Sequence, residues 1–477
     1  MTARTPPPPL PTPDSMGAEA GGPQRLIEKE DLSQRAAQTY MIGVFLAVNA
    51  IRDAYLLVEG PDCIHMKTQF VQGNHDWLST LTSVSGYHRV ANTALHPVQM
   101  TASREAELHK FLVRIAERPN INGVLFTSMP MAFITGSDYD RLCLEVAEAS
   151  GKSIVHIKGK SLSGDWLDGY EESLFSLARQ LDLSGGSPDP NKVAVIGNLF
   201  DRNEGDHRAN VRELRRMISA LGLETVSIWL EGGNFADLAR VRDAGAILSF
   251  PYGRRAAKWA ARRTGAQVIT CDLPFGLSAS ERWMRQLGEA LGREREAEAF
   301  IDRELYEVAP ALEWVVPFFF QGRRWGFVGD PHLANRLREI AETVGARLSF
   351  AAITNTATHE RELEEKLVEQ TKVLVYPRQR TLGTFVQETI QAEVVSLVVT
   401  HSDAMPGSSV ATVELGFPSM YTHYLYDRPF LGFRGFLAFI ESMVNAIRRR
   451  EVEETMTGHM RQNAARWDPR PDQGRAG

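Results

Sequence analysis

The chain has 477 residues, more than one hydrophobic core holds, because single cores stop growing near roughly 250–300 residues. It carries 53 Lys and Arg against 59 Asp and Glu, a net charge of −6, which excludes the strongly basic surface that binds nucleic acid. Its three cysteines form no Cys-x-x-Cys pair, which excludes a disulfide framework and a self-contained zinc ribbon. We therefore expect a multidomain cytoplasmic protein.

Both ends of the chain have the composition of disordered tails. Residues 1–34 include the run Pro6-Pro7-Pro8-Pro9 and no basic segment followed by an apolar one, so we predict a tail and not a signal peptide. Residues 458–477 are predicted as a second tail. Apolar stretches such as Met41 to Ala50 are far shorter than the ~20 residues of a membrane helix. No membrane span is expected.

Between the tails, strand patterns alternate with helical patterns in three blocks. The first block, residues 35–185, has a part without periodicity, Ile64 to Thr101, which we predict as a long functional loop. The predicted elements of this block are helix Met41 to Ile51, strand Ala54 to Val58, helix Arg104 to Ala116, strand Gly123 to Thr127, helix Tyr139 to Ala149, strand Ile154 to Ile157 and helix Tyr170 to Leu181.

The second block covers residues 190–312 and the third covers residues 313–457. The second opens with the strand Val193 to Gly197 and the third with the strand Trp325 to Gly329, and both continue with alternating helices and strands. Such alternation implies parallel sheets covered on both faces. The sequence therefore predicts an α/β fold of three consecutive Rossmann-like domains around a central cleft.

Neither glycine motif for nucleotide binding is present. Gly151-Lys152-Ser153 resembles the end of a phosphate-binding loop, but Val146 occupies the position of its first glycine, and the triplet leads from a helix into a strand. The turn after Val193 to Ile196 has the single glycine Gly197 where a dinucleotide fingerprint needs three. We predict that this chain binds neither ATP nor NAD.

Cys63 is the first candidate site residue. It ends the turn Gly60-Pro61-Asp62-Cys63 directly after a predicted buried strand, and loops at this end of a strand carry ligands in α/β proteins. One thiol is too few for a metal cluster, which usually needs four ligands. The alternative is a buried cysteine that packs as a small hydrophobic side chain.

Four further residues are candidates on residue type and position. His423 has an imidazole that could ligate a metal or donate a proton near neutral pH. His65, His75 and Trp77 lie in the long loop after Cys63, where they could face a substrate or a partner. The alternatives are a hydrogen-bonded structural histidine for His423 and ordinary exposed loop residues for the other three.

Four separated motifs resemble component 1 of the nitrogenase family, which includes the dark-operative protochlorophyllide and chlorophyllide reductases. They are the helix Met41 to Ile51 with the turn ending at Cys63, the segment Cys271 to Leu277, Gly329-Asp330-Pro331, and the segment Gly416 to Gly435. The resemblance covers roughly residues 35–455, and the spacing across the chain is more specific than any one motif.

The resemblance implies an oxidoreductase subunit of the β type, in an α2β2 heterotetramer with a paralogous α-type subunit. It also implies an iron–sulfur cluster of the 4Fe–4S kind at the subunit interface, and a separate P-loop iron protein that delivers electrons with ATP consumption. Members of the family reduce dinitrogen or a ring double bond of a tetrapyrrole.

The resemblance gives Cys63 the role of a cluster ligand, and the departures from the family pattern are equally informative. Subunits with three ligands have a cysteine within the segment that here reads Leu32 to Tyr40, and another where this chain has Ser128-Met129-Pro130. The partner chain must then supply the other ligands. His423 matches a cofactor-binding histidine of nitrogenase, but the accompanying cysteine is absent from Ser249-Phe250-Pro251-Tyr252, which disfavours dinitrogen as the substrate.

These inferences predict a catalytic-component subunit of a nitrogenase-like reductase. It would contribute one ligand to a shared cluster and part of a substrate cleft, with a tetrapyrrole as the candidate substrate. The alternative is a cluster-deficient scaffold or interaction subunit for cofactor assembly. A generic small-molecule binding protein with two lobes is disfavoured because no export signal is found.

Overall fold

Three parallel β-sheets, each flanked by helices, form the body of the protein. The computed structural model describes residues 25–27, 33–82, 88–160, 163–407 and 410–466, with side chains described up to residue 457. The strands are β1 (Arg25–Ile27), β2 (Ala54–Glu59), β3 (Val90–Asn92), β4 (Gly123–Ser128), β5 (Ser153–His156), β6 (Asp189–Ile196), β7 (Glu224–Ile228), β8 (Ala244–Ser249), β9 (Gln267–Thr270), β10 (Arg324–Gly329), β11 (Arg347–Ile353), β12 (Lys372–Val375), β13 (Leu397–Thr400) and β14 (Ala411–Glu414).

The helices connect these strands and cover the sheets. They are α1 (Tyr40–Asn49), α2 (Ile64–Phe70), α3 (Glu105–Ala116), α4 (Tyr139–Ser150), α5 (Trp166–Gln180), α6 (Gly205–Ala220), α7 (Phe235–Leu238), α8 (Arg254–Thr264), α9 (Leu277–Leu291), α10 (Glu294–Leu312), α11 (Val315–Phe319), α12 (Pro331–Thr343), α13 (Glu365–Gln370), α14 (Gln379–Glu393) and α15 (Gly432–Arg466). Among the residues that the structure describes, no helix is both long and apolar enough to cross a membrane.

The strand orders are β3-β2-β4-β5 in the first sheet, β7-β6-β8-β9 in the second and β1-β12-β11-β10-β13-β14 in the third. Every recorded strand pairing is parallel. Strands β2, β6 and β10 each lie inside their sheet; β2 and β10 are buried along most of their length, and β6 is buried along its second half. The predicted architecture of three Rossmann-like domains with parallel sheets is confirmed.

Helix α1 is buried along its whole length and crosses α5 at very short range. All ten of its residues are buried, so it is apolar on every side and not amphipathic. A Cβ atom at Gly43 would lie 1.8 Å from the Trp166 carbonyl oxygen, and one at Gly169 would lie 2.0 Å from the Tyr40 carbonyl oxygen. Only glycine fits at both positions, and the two backbones therefore touch.

The prediction of a long loop without helix or strand from Ile64 to Thr101 was wrong. Within the described part of this segment the chain forms α2, a π-helical turn at Val71–His75, the strand β3 and a 3-10 turn at Pro97–Thr101. These elements are too short for a periodic pattern, and long-range contacts stabilise them, such as the pairing of Val90 with Leu56 of β2. The sequence analysis also missed α9, α10, α14 and β14.

The segments predicted as tails lie partly outside the described residues. Arg25–Ile27 falls within the predicted N-terminal tail, and it forms β1, which pairs in parallel with β12 of the third sheet. Helix α15 continues past Gly458 to Arg466. The rest of both predicted tails, residues 1–24 and 467–477 together with residues 28–32, lies outside the described part of the chain.

A buried ion pair joins the helical layers of the first and third sheets. Asp165 caps the start of α5 and also accepts a hydrogen bond of 2.7 Å from the Thr356 N–H. His359 places Nε2 3.4 Å from Asp165 Oδ1 and 3.5 Å from Asp168 Oδ2. Although burial opposes its charge, the two carboxylates raise the pKa of His359 to about 10. His359 is therefore a buried imidazolium at neutral pH.

Replacing His359 with glutamine is expected to lower the free energy of unfolding by about 3 kcal/mol near neutral pH, because it leaves the buried Asp165 without its cation and Asp168 with Lys160 alone. The folded-state pKa of about 10 lies above the ordinary value of 6.5. The contribution is therefore complete below pH 6.5 and is lost as the pH rises towards 10. Urea unfolding of both proteins across this pH range measures the difference. His109→Gln, a partly exposed histidine on α3, is the control, and a difference that grows with pH would contradict the ion pair.

Candidate functional site

Cys63 lies on an exposed turn between β2 and α2, where it precedes the first residue of the helix. The other two cysteines are buried. Burial raises the pKa of the Cys143 and Cys271 thiols to about 12 each. Among the three thiols, Cys63 alone is placed to bind a group outside the protein core.

The two segments in which the family pattern described above has further cysteines lie near the Cys63 turn. Glu59 pairs with Ser128 in the β2–β4 register, so the loops after both strands begin side by side. The Met129 N–H donates to the Glu59 carbonyl over 2.9 Å. The Met129 side chain covers Gly60, where a Cβ would lie 2.9 Å from Met129 Cγ. Met129 thus fills the space beside the turn.

The segment before α1 reaches the same edge of the first sheet. Lys67, one turn into α2, donates to Thr39 Oγ1 over 2.9 Å, and Thr39 directly precedes α1. Burial lowers the pKa of Lys67 below its ordinary value, and the neighbouring Cys63 opposes this shift in part. The three segments that carry ligands in the family pattern therefore converge here, and this chain offers one thiol and one ammonium group. These residues fit one corner of an iron–sulfur cluster, and they do not fit a complete site.

A buried ion pair lies behind the Cys63 turn. Glu59 is fully buried, and its Oε1 lies 3.6 Å from Arg104 Nη1. Burial raises the pKa of Glu59 to about 7, and the Arg104 guanidinium opposes the rise. Within the described residues, neither Glu59 carboxylate oxygen accepts a hydrogen bond. Glu59 is therefore a buried carboxyl group that changes its charge near neutral pH.

His75 is a fully buried structural residue. The Ser419 N–H donates to His75 Nδ1 over 3.0 Å, which assigns the ring proton to Nε2. Nε2 then donates to the Asp201 carbonyl over 3.3 Å. Burial lowers the pKa of His75, so the ring is neutral and joins the segment after α2 to loops of the other two sheets.

Trp77 and His423 stack on each other. Their ring centroids lie 3.5 Å apart and the planes differ by 14°. His423 Nδ1 lies 2.7 Å from Glu204 Oε1. Glu204 also accepts hydrogen bonds from the Trp77 N–H (3.2 Å) and the Tyr424 N–H (2.9 Å). One buried carboxylate thus holds three separate segments together.

The structure therefore brings three of the predicted site residues together and leaves two elsewhere. His75, Trp77 and His423 meet around the loop after β6. Cys63 and His65 are exposed at the start of α2. His423 is engaged by Glu204 and Trp77, which favours the structural alternative for this histidine over metal ligation.

A small cavity lies between elements of the second and third sheets and α15. The cavity between the loop after β6 and α15 has a volume of about 50 Å³, which is room for a few water molecules. Ion pairs line it: His207 Nε2 lies 2.7 Å from Asp201 Oδ1, and Arg202 binds Asp206. Burial opposes the charge of His207, but the two carboxylates raise its pKa above the ordinary value. A tetrapyrrole does not fit in this space.

The sequence analysis missed the polar residues of this loop. Asp201, Glu204 and His207 match no catalytic motif, and their partners lie as many as 220 positions away in the sequence. The available signal was the run from Asn198 to Asp206, which follows a buried strand and is rich in charged residues.

One group in the described part of the chain, Asp165, Asp168 and His359, has carboxylate and imidazole atoms close enough to share a metal ion. Its atoms are already engaged. Asp165 accepts hydrogen bonds from backbone N–H groups, and Lys160 Nζ lies 2.6 Å from Asp168 Oδ1. The positive charges of Lys160 and His359 make this group an ion pair and not a metal site.

The model of the family described as nitrogenase component 1 type oxidoreductases matches residues 39–448. The nitrogenase molybdenum-iron protein alpha chain of Methanothermobacter marburgensis is 22% identical over 344 residues, which covers 70% of this chain and 70% of that one. The corresponding beta chain of Clostridium pasteurianum is 23% identical over 330 residues, or 62% of this chain and 68% of the relative.

A shorter match is more similar in sequence. A light-independent protochlorophyllide reductase subunit of Roseiflexus castenholzii is 32% identical over 124 residues, which is 25% of this chain and 21% of that protein. Among solved structures, nitrogenase Cp1 at pH 6.5 superposes with a TM-score of 0.74 at 17% identity, covering 92% of this chain and 96% of the other. The structural match supports the fold.

Replacing Glu204 with alanine is expected to destabilise the protein by about 3 kcal/mol, because three partly buried donors lose their acceptor. Glu204→Gln retains one carbonyl acceptor and should lose less. Urea unfolding measures both variants, and limited proteolysis between residues 71 and 82 reports whether the Trp77 segment is released. Glu224→Ala, an exposed carboxylate at the start of β7, is the control. Equal stability of Glu204→Ala and the control would contradict the anchoring role.

Proposed function

The chain belongs to the nitrogenase component 1 type oxidoreductase family, and from this membership we propose that it is the β-type subunit of a nitrogenase-like reductase. In this proposal it pairs with a paralogous α-type chain and contributes Cys63 to an iron–sulfur cluster shared between the two. The relatives include both alpha and beta chains of nitrogenase, which supports a hetero-oligomer of two related subunits.

The observation that carries the proposal is the position of Cys63. Its thiol is exposed at the edge where the segment before α1 and the loops after β2 and β4 meet. Cys63 precedes the first turn of α2, and a helix N-terminus favours a thiolate. The nearby Lys67 ammonium adds positive charge, which favours an anionic cluster.

The cluster would supply one-electron chemistry when bound. This chain's residues would hold and tune it: Cys63 as one ligand, Lys67 as a neighbouring cation, and Met129 as an apolar cover in place of a second ligand. Glu59 and Arg104 form a buried charged pair behind the turn. The remaining ligands belong to the partner in this proposal, because Cys143 and Cys271 are buried elsewhere in the core.

Exposed apolar side chains around the same edge support a partner contact. Met66 on α2 is 73% exposed and Ile134, in the 3-10 turn Pro130–Thr135 after β4, is 72% exposed. Phe133 and Val98 are exposed as well. Large apolar groups clustered beside a candidate ligand are typical of a surface that another chain covers.

We place the substrate at the interface between subunits. The central cavity of this chain holds only a few water molecules, so a tetrapyrrole, the candidate that the protochlorophyllide reductase match supports, requires space that the partner helps to form. The phosphate-binding loop pattern is absent from this sequence. In this proposal a separate iron protein therefore consumes ATP and delivers the electrons.

The second candidate is a scaffold or interaction subunit without a cluster. Two observations favour it: Met129 fills one ligand position, and Gln38, near another, donates from Nε2 to Asp403 Oδ2 over 2.6 Å. Both side chains have structural roles there. Iron content separates the two candidates.

Anaerobic co-expression with the paralogous partner, followed by iron determination and EPR of the reduced complex, tests the proposal. The wild-type complex is expected to contain iron and to show a cluster signal, and Cys63→Ala is expected to lose most of the iron or to change the signal, because one of four ligands is gone.

Cys143→Ala is the matched control, since it removes a buried thiol on α4 and should leave iron and EPR signal unchanged. A wild-type complex that assembles without iron would overturn the reductase proposal and leave the scaffold. An iron signal that Cys63→Ala does not alter would overturn the role of Cys63.

A further inference from the structure

A large groove lies at the opposite end of β2 from Cys63. Its volume is about 850 Å³, within the range of small-molecule sites in proteins. Arg52 and Tyr55 come from the start of β2, and Arg118 comes from the turn after α3. Trp77 and Thr80 line the groove from the segment after α2. Trp77 belongs both to this groove and to the cluster with His423 and Glu204. None of the residues around Cys63 lines the groove.

Arg89 holds the wall of this groove in place. Its guanidinium is 8% exposed, and Nη1 donates to the Ile51 and Ala54 carbonyls over 2.9 and 2.8 Å. Its Nη2 donates to Thr80 Oγ1 over 2.9 Å. The segment that carries Trp77 and Thr80 is therefore bound to the end of α1 and the start of β2 by a buried cation.

The electrostatics of the groove favour an anion. Three arginines line it, and among the described residues no aspartate or glutamate does. The Arg89 guanidinium donates to backbone carbonyls, and the exposed Arg52 donates from Nη2 to the Gly232 carbonyl over 3.2 Å. Arg118 is exposed as well. Neither Arg52 nor Arg118 lies within ion-pair distance of a carboxylate in the described ranges. The Arg118 guanidinium carbon lies 5.0 Å from the centre of the Tyr55 ring, which orients it across the groove.

The groove also offers an aromatic surface. Trp77 is 59% exposed, although His423 stacks on one face of its indole. Trp77 lines the groove. An exposed indole next to guanidinium groups that no described carboxylate neutralises is suited to a flat ring that carries an acidic substituent.

The geometry points to a second ligand site in this groove, for a planar aromatic molecule with a carboxylate or phosphate group. The ring stacks on Trp77, and the oxyanion binds Arg118 and Arg52. The site needs neither a cluster nor a partner chain, so it can be tested independently of the function proposed above.

Fluorescence titration of the full-length protein with 8-anilinonaphthalene-1-sulfonate tests the site. We expect saturable binding of one molecule, weakened roughly tenfold by Arg118→Gln, because one charge-assisted contact is lost. Trp77→Leu should weaken it severalfold through the lost stacking. The uncharged analogue N-phenyl-1-naphthylamine should bind the wild type and Arg118→Gln with equal affinity. Displacement by 1-naphthoate or by 1-naphthyl phosphate identifies the preferred oxyanion.

Arg114→Gln removes an exposed arginine from α3 outside the groove and should leave binding unchanged. Arg52→Gln tests the second arginine proposed to bind the oxyanion, with folding of each variant checked by circular dichroism. Binding that neither arginine variant weakens, an equal loss in Arg114→Gln, an equal loss for the uncharged probe, or displacement by neither naphthyl anion would each overturn the site.

Discussion

The close crossing of α1 and α5 is the constraint on which the rest of the structure depends. Gly43 and Gly169 let the two backbones touch, and no other residue type fits at either position. A fully buried helix cannot rotate or slide without opening voids on several sides, and voids of this kind cost several kcal/mol. Helix α1 therefore serves as a fixed axis in the first domain.

Both ends of this axis hold the functional segments. At the N-terminal end, Thr39 accepts the hydrogen bond from Lys67 and so ties α2, with Cys63 at its start, to α1. At the C-terminal end, Asn49 donates to the buried Asp76 over 2.7 Å, and Asp76 also accepts from the Asn203 N–H. Arg89 binds the carbonyls that follow α1. The edge with Cys63 and the groove with Trp77 are thus positioned by one helix. The contact at the Cys63 end is exposed, whereas those at the other end are buried and would be costly to leave unpaired.

Much of the fold could be predicted from the sequence because its main elements carry local signals. The buried strands β2, β4 and β6 and the helix α1 stand out as apolar runs, and the Gly-Pro turn identifies Cys63 as a loop residue at a strand end. The contacts of the site could not be predicted. Glu204 and His423 are 219 positions apart, and no local pattern records that a glutamate after one strand will bind a histidine near the end of the chain. The short elements α2 and β3 could not be predicted for the same reason, because their stability comes from neighbours distant in sequence.

The central claim is that Cys63 is one corner of a cluster held between two chains. Anomalous diffraction at the iron absorption edge, from anaerobically grown crystals of the co-expressed complex, tests this claim most directly. The account predicts an iron peak within bonding distance of the Cys63 sulfur, with the remaining ligands contributed by the partner subunit. An iron site completed by the partner alone, with the Cys63 sulfur outside bonding distance, or no iron peak at this edge, would contradict it.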